Sequence, residues 1–155
     1  MKLNMHTGDL FKGAEKLEDW NRRYVQCSSG DCACGAGIAV QFNEHFNVQE
    51  RIPRPDSKLW YPIGTVIYTE PVFNLVTKLR YYEKPSEFSM RRALRTLRRN
   101  LLDDPSIKTL VMPKLGCGLD RMPWKVVRAA IEDVLEDTDV DIHVYTRRGV
   151  IDEHN

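Results

Sequence analysis

The segment SSGDCACGAGIAVQF, residues 28–42, determines how the rest of this sequence is interpreted. It overlaps the end of a short apolar run at residues 22–29 that is typical of a β-strand, and residues 35–46 fit a largely buried helix. A glycine-rich loop before a helix leaves free backbone N–H groups, which bind anions. Taken alone, the segment fits a phosphate-binding loop and a tight strand–helix turn equally well.

The common phosphate-binding motifs do not match this loop. No Lys-Ser or Lys-Thr pair follows the glycines, and Val40 stands where a dinucleotide-binding fingerprint has its third glycine. The cysteines do not suggest a metal site either, because their C-x4-C-x-C spacing with one remote member is not a zinc-knuckle pattern. We expect reduced cysteines that fill turns and core, at positions Cys27, Cys32, Cys34 and Cys117.

A second glycine loop, KLGCGLD at residues 114–120, changes this balance. It follows an apolar strand at residues 107–113 and precedes a helix that we expect to start at Pro123, as its first residue. In a parallel sheet, loops at the carboxyl ends of strands gather on one edge, where ligands bind. Two such loops predict a site in which backbone amides hold a pyrophosphate from both sides.

The remaining pattern alternates strands with helices. We expect further strands at residues 2–6, 64–70, 72–78 and 140–146, with a hairpin-like break at Pro71, and an amphipathic helix over residues 86–103. Residues 47–62 contain three prolines and are predicted to be irregular. This order indicates an α/β layered fold with a largely parallel sheet. We see no linker, so residues 1–155 are predicted to form one domain.

Composition is that of an ordinary soluble protein. The 155 residues are 42% hydrophobic and 29% charged, with a net charge of +1, so any contact with nucleic acid would have to be local. There is no apolar run of about 18 residues and no apolar stretch typical of a signal peptide near Met1. We therefore expect a cytoplasmic, monomeric protein without a membrane segment.

One local charge feature stands out on the helix at 86–103. Five arginines lie away from its apolar face, namely Arg91, Arg92, Arg95, Arg98 and Arg99. Such a row is most simply a solvated face. The alternative is a basic strip that approaches nucleic-acid phosphates.

Three polar residues near predicted strand ends have two interpretations each. Asp9 follows the first strand, Lys78 ends the strand at 72–78, and Asp120 lies in the second glycine loop. Their ordinary roles are a turn or helix cap for the aspartates and a solvated strand end for the lysine. They become functional candidates if the fold brings them to one cleft.

The sequence resembles a macrodomain, specifically the branch of terminal ADP-ribose protein glycohydrolases and the related antitoxin macrodomains that remove ADP-ribose from DNA. The matching segments cover nearly the whole chain in the family's order: GDLF (8–11), DCACGAGIAVQF (31–42), LVTK (75–78), MPKLGCGLDRMPW (112–124) and DIHVYT (141–146). The resemblance implies a three-layer α/β/α fold with a mixed central sheet. It also implies ADP-ribose in the cleft and no cofactor.

Roles for individual residues follow from the same resemblance. It places Asp9 on the adenine amino group, Lys78 as the nucleophile at the anomeric carbon of the distal ribose, and Asp120 as its assistant. The implied ADP-ribose contacts are Asp9, Leu10, Ser28, Gly35, Ala36, Gly37, Ile38, Leu115, Gly116, Cys117, Gly118 and Leu119. A lysine nucleophile is chemically reasonable, since an amine can open the ribose through a Schiff-base-type intermediate.

The chain departs from the family pattern at the mouth of the implied cleft. Leu79, Tyr81 and Tyr82 are bulky where smaller or more basic residues are expected. The leading hypothesis is a hydrolase that removes a single ADP-ribose from a protein carboxylate or a nucleobase. The alternatives are a phosphatase acting on ADP-ribose 1''-phosphate and a non-catalytic ADP-ribose reader. A nucleic-acid substrate would be contacted through Arg91, Arg95 and Arg98.

Overall fold

The computed structural model describes residues 1–53 and 60–147. Six strands are present in this part of the chain: β1 (Lys2–Thr7), β2 (Arg23–Ser29), β3 (Val66–Thr69), β4 (Val72–Lys78), β5 (Thr109–Pro113) and β6 (Asp141–Thr146). The helices are α1 (Leu10–Glu15), α2 (Ile38–Phe46), α3 (Val48–Arg51), α4 (Glu87–Asp103) and α5 (Trp124–Leu135). The predicted proline-rich irregular segment lies partly outside the described residues, at positions 54–59.

The six strands form one mixed sheet in the order β1-β6-β5-β2-β4-β3. Every neighbouring pair is parallel except β3 and β4, which form an antiparallel hairpin with Thr69 opposite Val72. The predicted largely parallel sheet and the break at Pro71 are therefore confirmed. Because β2, β4 and β5 run side by side in one direction, the loops that follow them emerge at a common edge.

The sheet separates two apolar cores, as strand alternation requires. On β5, Leu110 and Met112 join the core beneath α4 and α5, while Val111 between them joins the core beneath α1, α2 and α3. All three side chains are fully buried. The fold is the predicted three-layer α/β/α arrangement, with the sheet as the middle layer.

Two helices begin with clear sequence signals. Ser86 caps α4, accepting a hydrogen bond from the Ser89 N–H at 3.0 Å, and Ser89 returns the bond in a capping box. Pro123 occupies the cap of α5 rather than its predicted first position, so the helix starts at Trp124. Among the described residues, no helix combines the length and apolar character needed to cross a membrane.

The helix that follows the first glycine loop starts later than predicted, at Ile38 instead of Gly35. Its cap, Gly37, has φ of +63°, and Cys34 also lies at positive φ, so the chain before Ile38 is not helical. The sequence interpretation also did not include α1, which has only six residues, or α3, which has four.

Candidate functional site

A cleft of about 1130 Å³ opens at the carboxyl ends of β2, β4 and β5. The first loop, residues 28–37, forms one wall after β2, and the second loop, residues 114–121, forms the opposite wall after β5. Lys78 lies between the loops at the end of β4. This is the edge at which open α/β sheets bind ligands.

Lys78 and Asp120 meet in this cleft. The Lys78 Nζ atom donates a hydrogen bond to the Asp120 Oδ1 atom at 2.7 Å, and each side chain is only 14% exposed. The two residues come from different strand ends, so the fold creates the pair rather than local sequence. The arrangement places an amine next to a carboxylate that can accept its proton.

Most of the predicted site residues line this cleft. Besides Lys78 and Asp120 they are Ser28, Gly35, Ala36, Gly37, Ile38, Leu115, Gly116, Cys117, Gly118 and Leu119. Sequence reasoning did not assign several other lining residues to the site, among them Ser29, Cys34, Lys84, Lys114, Tyr145, Thr146 and Arg147.

Asp9 and Leu10 are the two predicted contacts that do not line the cleft. The Asp9 carboxylate caps α1, accepting hydrogen bonds from the Phe11 N–H at 2.8 Å and the Lys12 N–H at 3.1 Å. Leu10 is buried in the core beneath α1, α2 and α3. The contact of Asp9 with adenine stays a prediction from the resemblance.

The first loop is held in place by Asp31, which the sequence analysis did not select. Its carboxylate accepts hydrogen bonds from the Ser29 hydroxyl, from the Ala33 N–H at 3.3 Å and from the Tyr81 N–H at 3.0 Å. In addition, the Gly30 N–H donates to the Lys78 carbonyl oxygen at 2.8 Å. The first loop is thereby tied to the backbone that carries Lys78. An Asp in a glycine-containing loop often accepts from the N–H two residues later, as Asp31 does from Ala33, and this Asx-turn pattern was the available signal.

The second loop folds through its own backbone. The Cys117 N–H donates to Lys114 O at 3.1 Å and the Met122 N–H donates to Gly116 O at 2.8 Å. The second loop is also bonded to the segment that follows β4, since the Lys84 Nζ atom donates to Leu119 O at 2.8 Å. An ideal Cβ on Gly37 would lie 3.3 Å from the Leu119 Cδ1 atom, so the two walls approach each other there.

The thiols of the cleft are poor nucleophiles. Burial, reinforced by the negative charge of Asp120, raises the pKa of Cys27 to about 12. Burial likewise raises the pKa of Cys34 and of Cys117 to about 11. These thiols are protonated near neutral pH, which leaves Lys78 as the better candidate nucleophile. Among the described residues, no cluster of three His, Cys, Asp or Glu side chains could hold a metal ion.

The cleft mouth is aromatic, as the bulky residues of the sequence suggested. Tyr81 and Tyr82 are more than half exposed, line the cleft, and meet edge to face with ring centroids 5.3 Å apart. The Arg80 side chain donates to the Tyr82 hydroxyl at 2.6 Å and lies 4.7 Å from the centre of the Trp60 ring. The mouth is therefore a structured wall beside Lys78.

The arginines proposed to contact nucleic acid do not act as one strip. Arg91 donates to the Asp133 carboxylate of α5 at 3.1 Å, and the Nε atom of Arg98 donates to Asp137 at 2.9 Å. Arg95 instead lies in a separate groove. Two of the three arginines thus already pair with carboxylates, and the nucleic-acid contact through this set stays a prediction.

Comparison with known proteins supports the relation that the sequence suggested. The chain is 37% identical to ADP-ribose glycohydrolase OARD1 of Bos taurus over 122 residues, 79% of this chain and 80% of the relative. It is 36% identical to ADP-ribose glycohydrolase OARD1 of Homo sapiens over 139 residues, 90% of this chain and 88% of the relative. No protein-family model matches the chain.

Solved structures show the same fold at lower sequence identity. The macrodomain of Thermus aquaticus DarG superposes with a TM-score of 0.70 at 22% identity, covering 93% of this chain and 97% of that structure. The macrodomain of Mycobacterium tuberculosis DarG gives a TM-score of 0.72 at 21% identity, covering 92% and 96%. With the identity to the OARD1 proteins, this result shows that the chain belongs to the macrodomain family, in its terminal ADP-ribose glycohydrolase branch.

Proposed function

We propose that this protein hydrolyses the bond that joins a single ADP-ribose to a modified macromolecule. The observation that carries the proposal is the ion pair of Lys78 and Asp120, enclosed between two glycine-rich loops in a family whose relatives are named ADP-ribose glycohydrolases. Neither a lysine nor an aspartate at this point is needed for binding alone. The pair therefore favours a hydrolase over a reader of ADP-ribose.

The two loops suit the pyrophosphate of ADP-ribose. Residues 35–38, which lead into α2, and residues 116–118 line the cleft from opposite sides. The Cys117 N–H already donates to Lys114 O, so the groups proposed to hold the phosphates are the other backbone N–H groups of these two segments. Such groups bind phosphate oxygens without a bulky side chain between them. With the pyrophosphate held there, the distal ribose extends toward Lys78 and Asp120.

The chemistry follows from an amine beside a carboxylate. Asp120 takes a proton from Lys78, whose nitrogen then forms a bond to the anomeric carbon of the distal ribose. The bond from that carbon to the macromolecule breaks, and its electron pair leaves with the macromolecule, which takes up a proton. Water then cleaves the bond between the lysine nitrogen and the sugar, assisted by Asp120, releasing ADP-ribose and restoring the amine.

The proposal also covers the linkage that is cleaved, which joins ADP-ribose to a protein carboxylate or to a nucleobase. A protein carboxylate ester and a nucleobase both present an oxygen or nitrogen at the anomeric carbon, and either substrate would have to approach past the exposed Tyr81 and Tyr82. A nucleic-acid substrate contacted through Arg91, Arg95 and Arg98 would compete with Asp133 and Asp137, which pair with Arg91 and Arg98 at the surface.

A panel of three substrates tests the function. Equal amounts of enzyme are incubated with protein ADP-ribosylated on a carboxylate, with ADP-ribosylated DNA and with ADP-ribose 1''-phosphate, and the released ADP-ribose is measured. The proposal expects release from at least one macromolecular substrate and its loss in Lys78→Ala. Phosphate release from ADP-ribose 1''-phosphate that survives in Lys78→Ala would support the phosphatase instead. Tight ADP-ribose binding without turnover of any substrate would make the protein a reader.

A further inference from the structure

A second cavity, of about 380 Å³, lies on α4 outside the cleft. Its walls are residues 62–65 and the side chains of Arg92, Arg95, Thr96 and Arg99. None of the described residues that line it is acidic. We call this cavity the basic groove.

The arginines of α4 fall into two groups with different surroundings. Arg91 and Arg98 turn toward α5 and pair with Asp133 and Asp137. The side chains of Arg92, Arg95 and Arg99 have no ion-pair or hydrogen-bond partner among the described residues, and all three residues are exposed. Positions 92, 95 and 99 share one helix face because they are three and four residues apart.

This concentration of like charge is unfavourable without an anion. Cations three or four residues apart on a helix repel each other, and the described part of the chain places no carboxylate in the groove to compensate them. Guanidinium groups bind phosphate through paired, parallel hydrogen bonds. From position 92 to position 99 the row extends by about 10 Å along the helix, which is longer than a single phosphate needs.

The groove has a fixed shape, unlike a loose row of surface arginines. Gly64 forms its opposite wall at φ of +94°, and an ideal Cβ there would lie 2.8 Å from the Arg92 Cγ atom. The Thr96 hydroxyl donates to Gly64 O at 2.6 Å, and the Gly64 N–H donates to Val76 O of β4 at 2.9 Å. The aliphatic stem of Arg92 is therefore packed, which reduces the entropy lost when its guanidinium binds a ligand.

We propose that the basic groove is a second binding site, which takes a ligand carrying several phosphate groups in a row. A nucleic-acid strand and a short polyphosphate share this chemistry. The site is separate from the cleft in which the ADP-ribose pyrophosphate is expected, and it does not depend on the proposed hydrolysis.

The test measures binding with the cleft blocked. Wild-type protein saturated with ADP-ribose is titrated into a short labelled single-stranded oligonucleotide, and fluorescence anisotropy is recorded at several salt concentrations. The groove variant is Arg92→Gln/Arg95→Gln/Arg99→Gln. The matched control, Arg91→Gln/Arg98→Gln/Arg128→Gln, removes the same charge from arginines that pair with acidic residues. Gln keeps the stem and the helix propensity of Arg, so both variants are expected to fold.

The groove variant is expected to bind at least about tenfold more weakly and to lower the slope of log affinity against log salt by about 2, as three lost phosphate contacts to a single strand predict. The control is expected to stay within about twofold of wild type. Displacement of the oligonucleotide by tripolyphosphate would identify a short polyphosphate as the ligand, and failure to displace it would identify a strand. Equal losses in both variants, or no binding of either probe by wild type, would overturn the site.

Discussion

The two loops that form the cleft are held by different means. The first loop is tied to other segments: the Asp31 carboxylate links Ser29, Ala33 and the backbone of Tyr81, and the Gly30 N–H donates to Lys78 O. The second loop depends on its own backbone turns, between Cys117 and Lys114 and between Met122 and Gly116. Consequently a change in the first loop reaches the strand end that carries Lys78, whereas the second loop carries Asp120 itself.

The largest effect on turnover is expected from replacing Lys78 or Asp120, the two reacting side chains between the loops. Lys78→Ala should lower turnover by about a thousandfold or more, because it removes the nucleophile, while ADP-ribose affinity by calorimetry changes little. Asp120→Ala should slow release of the sugar and accumulate a Lys78–ADP-ribose adduct, seen as a mass increase of the intact protein. Lys84→Ala is the control for loss of charge, since Lys84 is a second cleft lysine and donates to Leu119 O rather than to Asp120.

These outcomes distinguish covalent catalysis by Lys78 from direct attack by a water molecule that Asp120 activates. Full glycohydrolase activity in Lys78→Ala would contradict the covalent route and leave water activated by Asp120 as the mechanism. A loss in Lys84→Ala as large as in Lys78→Ala would mean that positive charge in the cleft, not the nucleophile, determines the rate.

The next largest effect, on ADP-ribose affinity, is expected when one glycine of each loop is replaced by valine. Gly37→Val places a side chain at φ of +63°, which costs about 1–2 kcal/mol, and also obstructs the pyrophosphate. A Cβ on Gly118 would meet no protein atom within 4 Å, so Gly118→Val obstructs only the ligand. We expect ADP-ribose affinity to fall at least about 30-fold in both, as strain or lost backbone contacts of a few kcal/mol predict.

Thermal unfolding distinguishes the two glycines. The melting temperature should fall in Gly37→Val and stay near that of wild type in Gly118→Val, because only the first residue requires a left-handed backbone. Unchanged affinity in both variants would show that the pyrophosphate does not bind between these loops.

A smaller effect is expected from the side chain that holds the first loop. Asp31→Asn keeps the shape but replaces one acceptor oxygen by an NH2 group, so the side chain can no longer accept from both the Tyr81 N–H and the Ala33 N–H. Loss of one charged hydrogen bond of about 1.5 kcal/mol should lower kcat about tenfold, with a smaller change in KM. Asp104→Asn is the matched control, since Asp104 accepts from Ser106 in a surface turn away from the cleft.

The split between kcat and KM decides the role of Asp31. If Asp31 positions Lys78 through the Tyr81 backbone, kcat falls while the melting temperature drops no more than in Asp104→Asn. A melting temperature well below the control, with kcat unchanged for the folded fraction, would make Asp31 a structural residue only.

Local patterns predicted the sheet and the position of both loops. Apolar runs bounded by glycine and proline identified β2, β4 and β5, and parallel strands necessarily bring their following loops to one edge. The pairing of Lys78 with Asp120 was expected only through the family resemblance, because no local rule joins residues from two separate strand ends.

Contacts between distant residues explain what the sequence did not predict. Which arginine of α4 is neutralised depends on how α4 packs against α5, and the acidic partners Asp133 and Asp137 lie one helix further along the chain. The link from Asp31 to the strand end of Lys78 was missed because the distant partner is the backbone of Tyr81, which any residue but proline could supply. Helix α1 was missed because six residues form a helix only with the Asp9 cap and the burial of Phe11.

The smallest effect on turnover is expected from the one half-buried thiol in each loop. Cys34 and Cys117 have pKa values raised from 9.0 to about 11, so at about pH 8 their thiolate fraction is about 100-fold below that of an unperturbed thiol. Alkylation by iodoacetamide should be correspondingly slow and should accelerate about tenfold per pH unit until the pKa is reached. Cys34→Ser and Cys117→Ser should therefore keep turnover within about threefold, since neither thiol supplies a nucleophile. Rapid alkylation at neutral pH with parallel loss of activity would instead place a reactive thiolate between the loops, and Lys78 would no longer be the best candidate nucleophile.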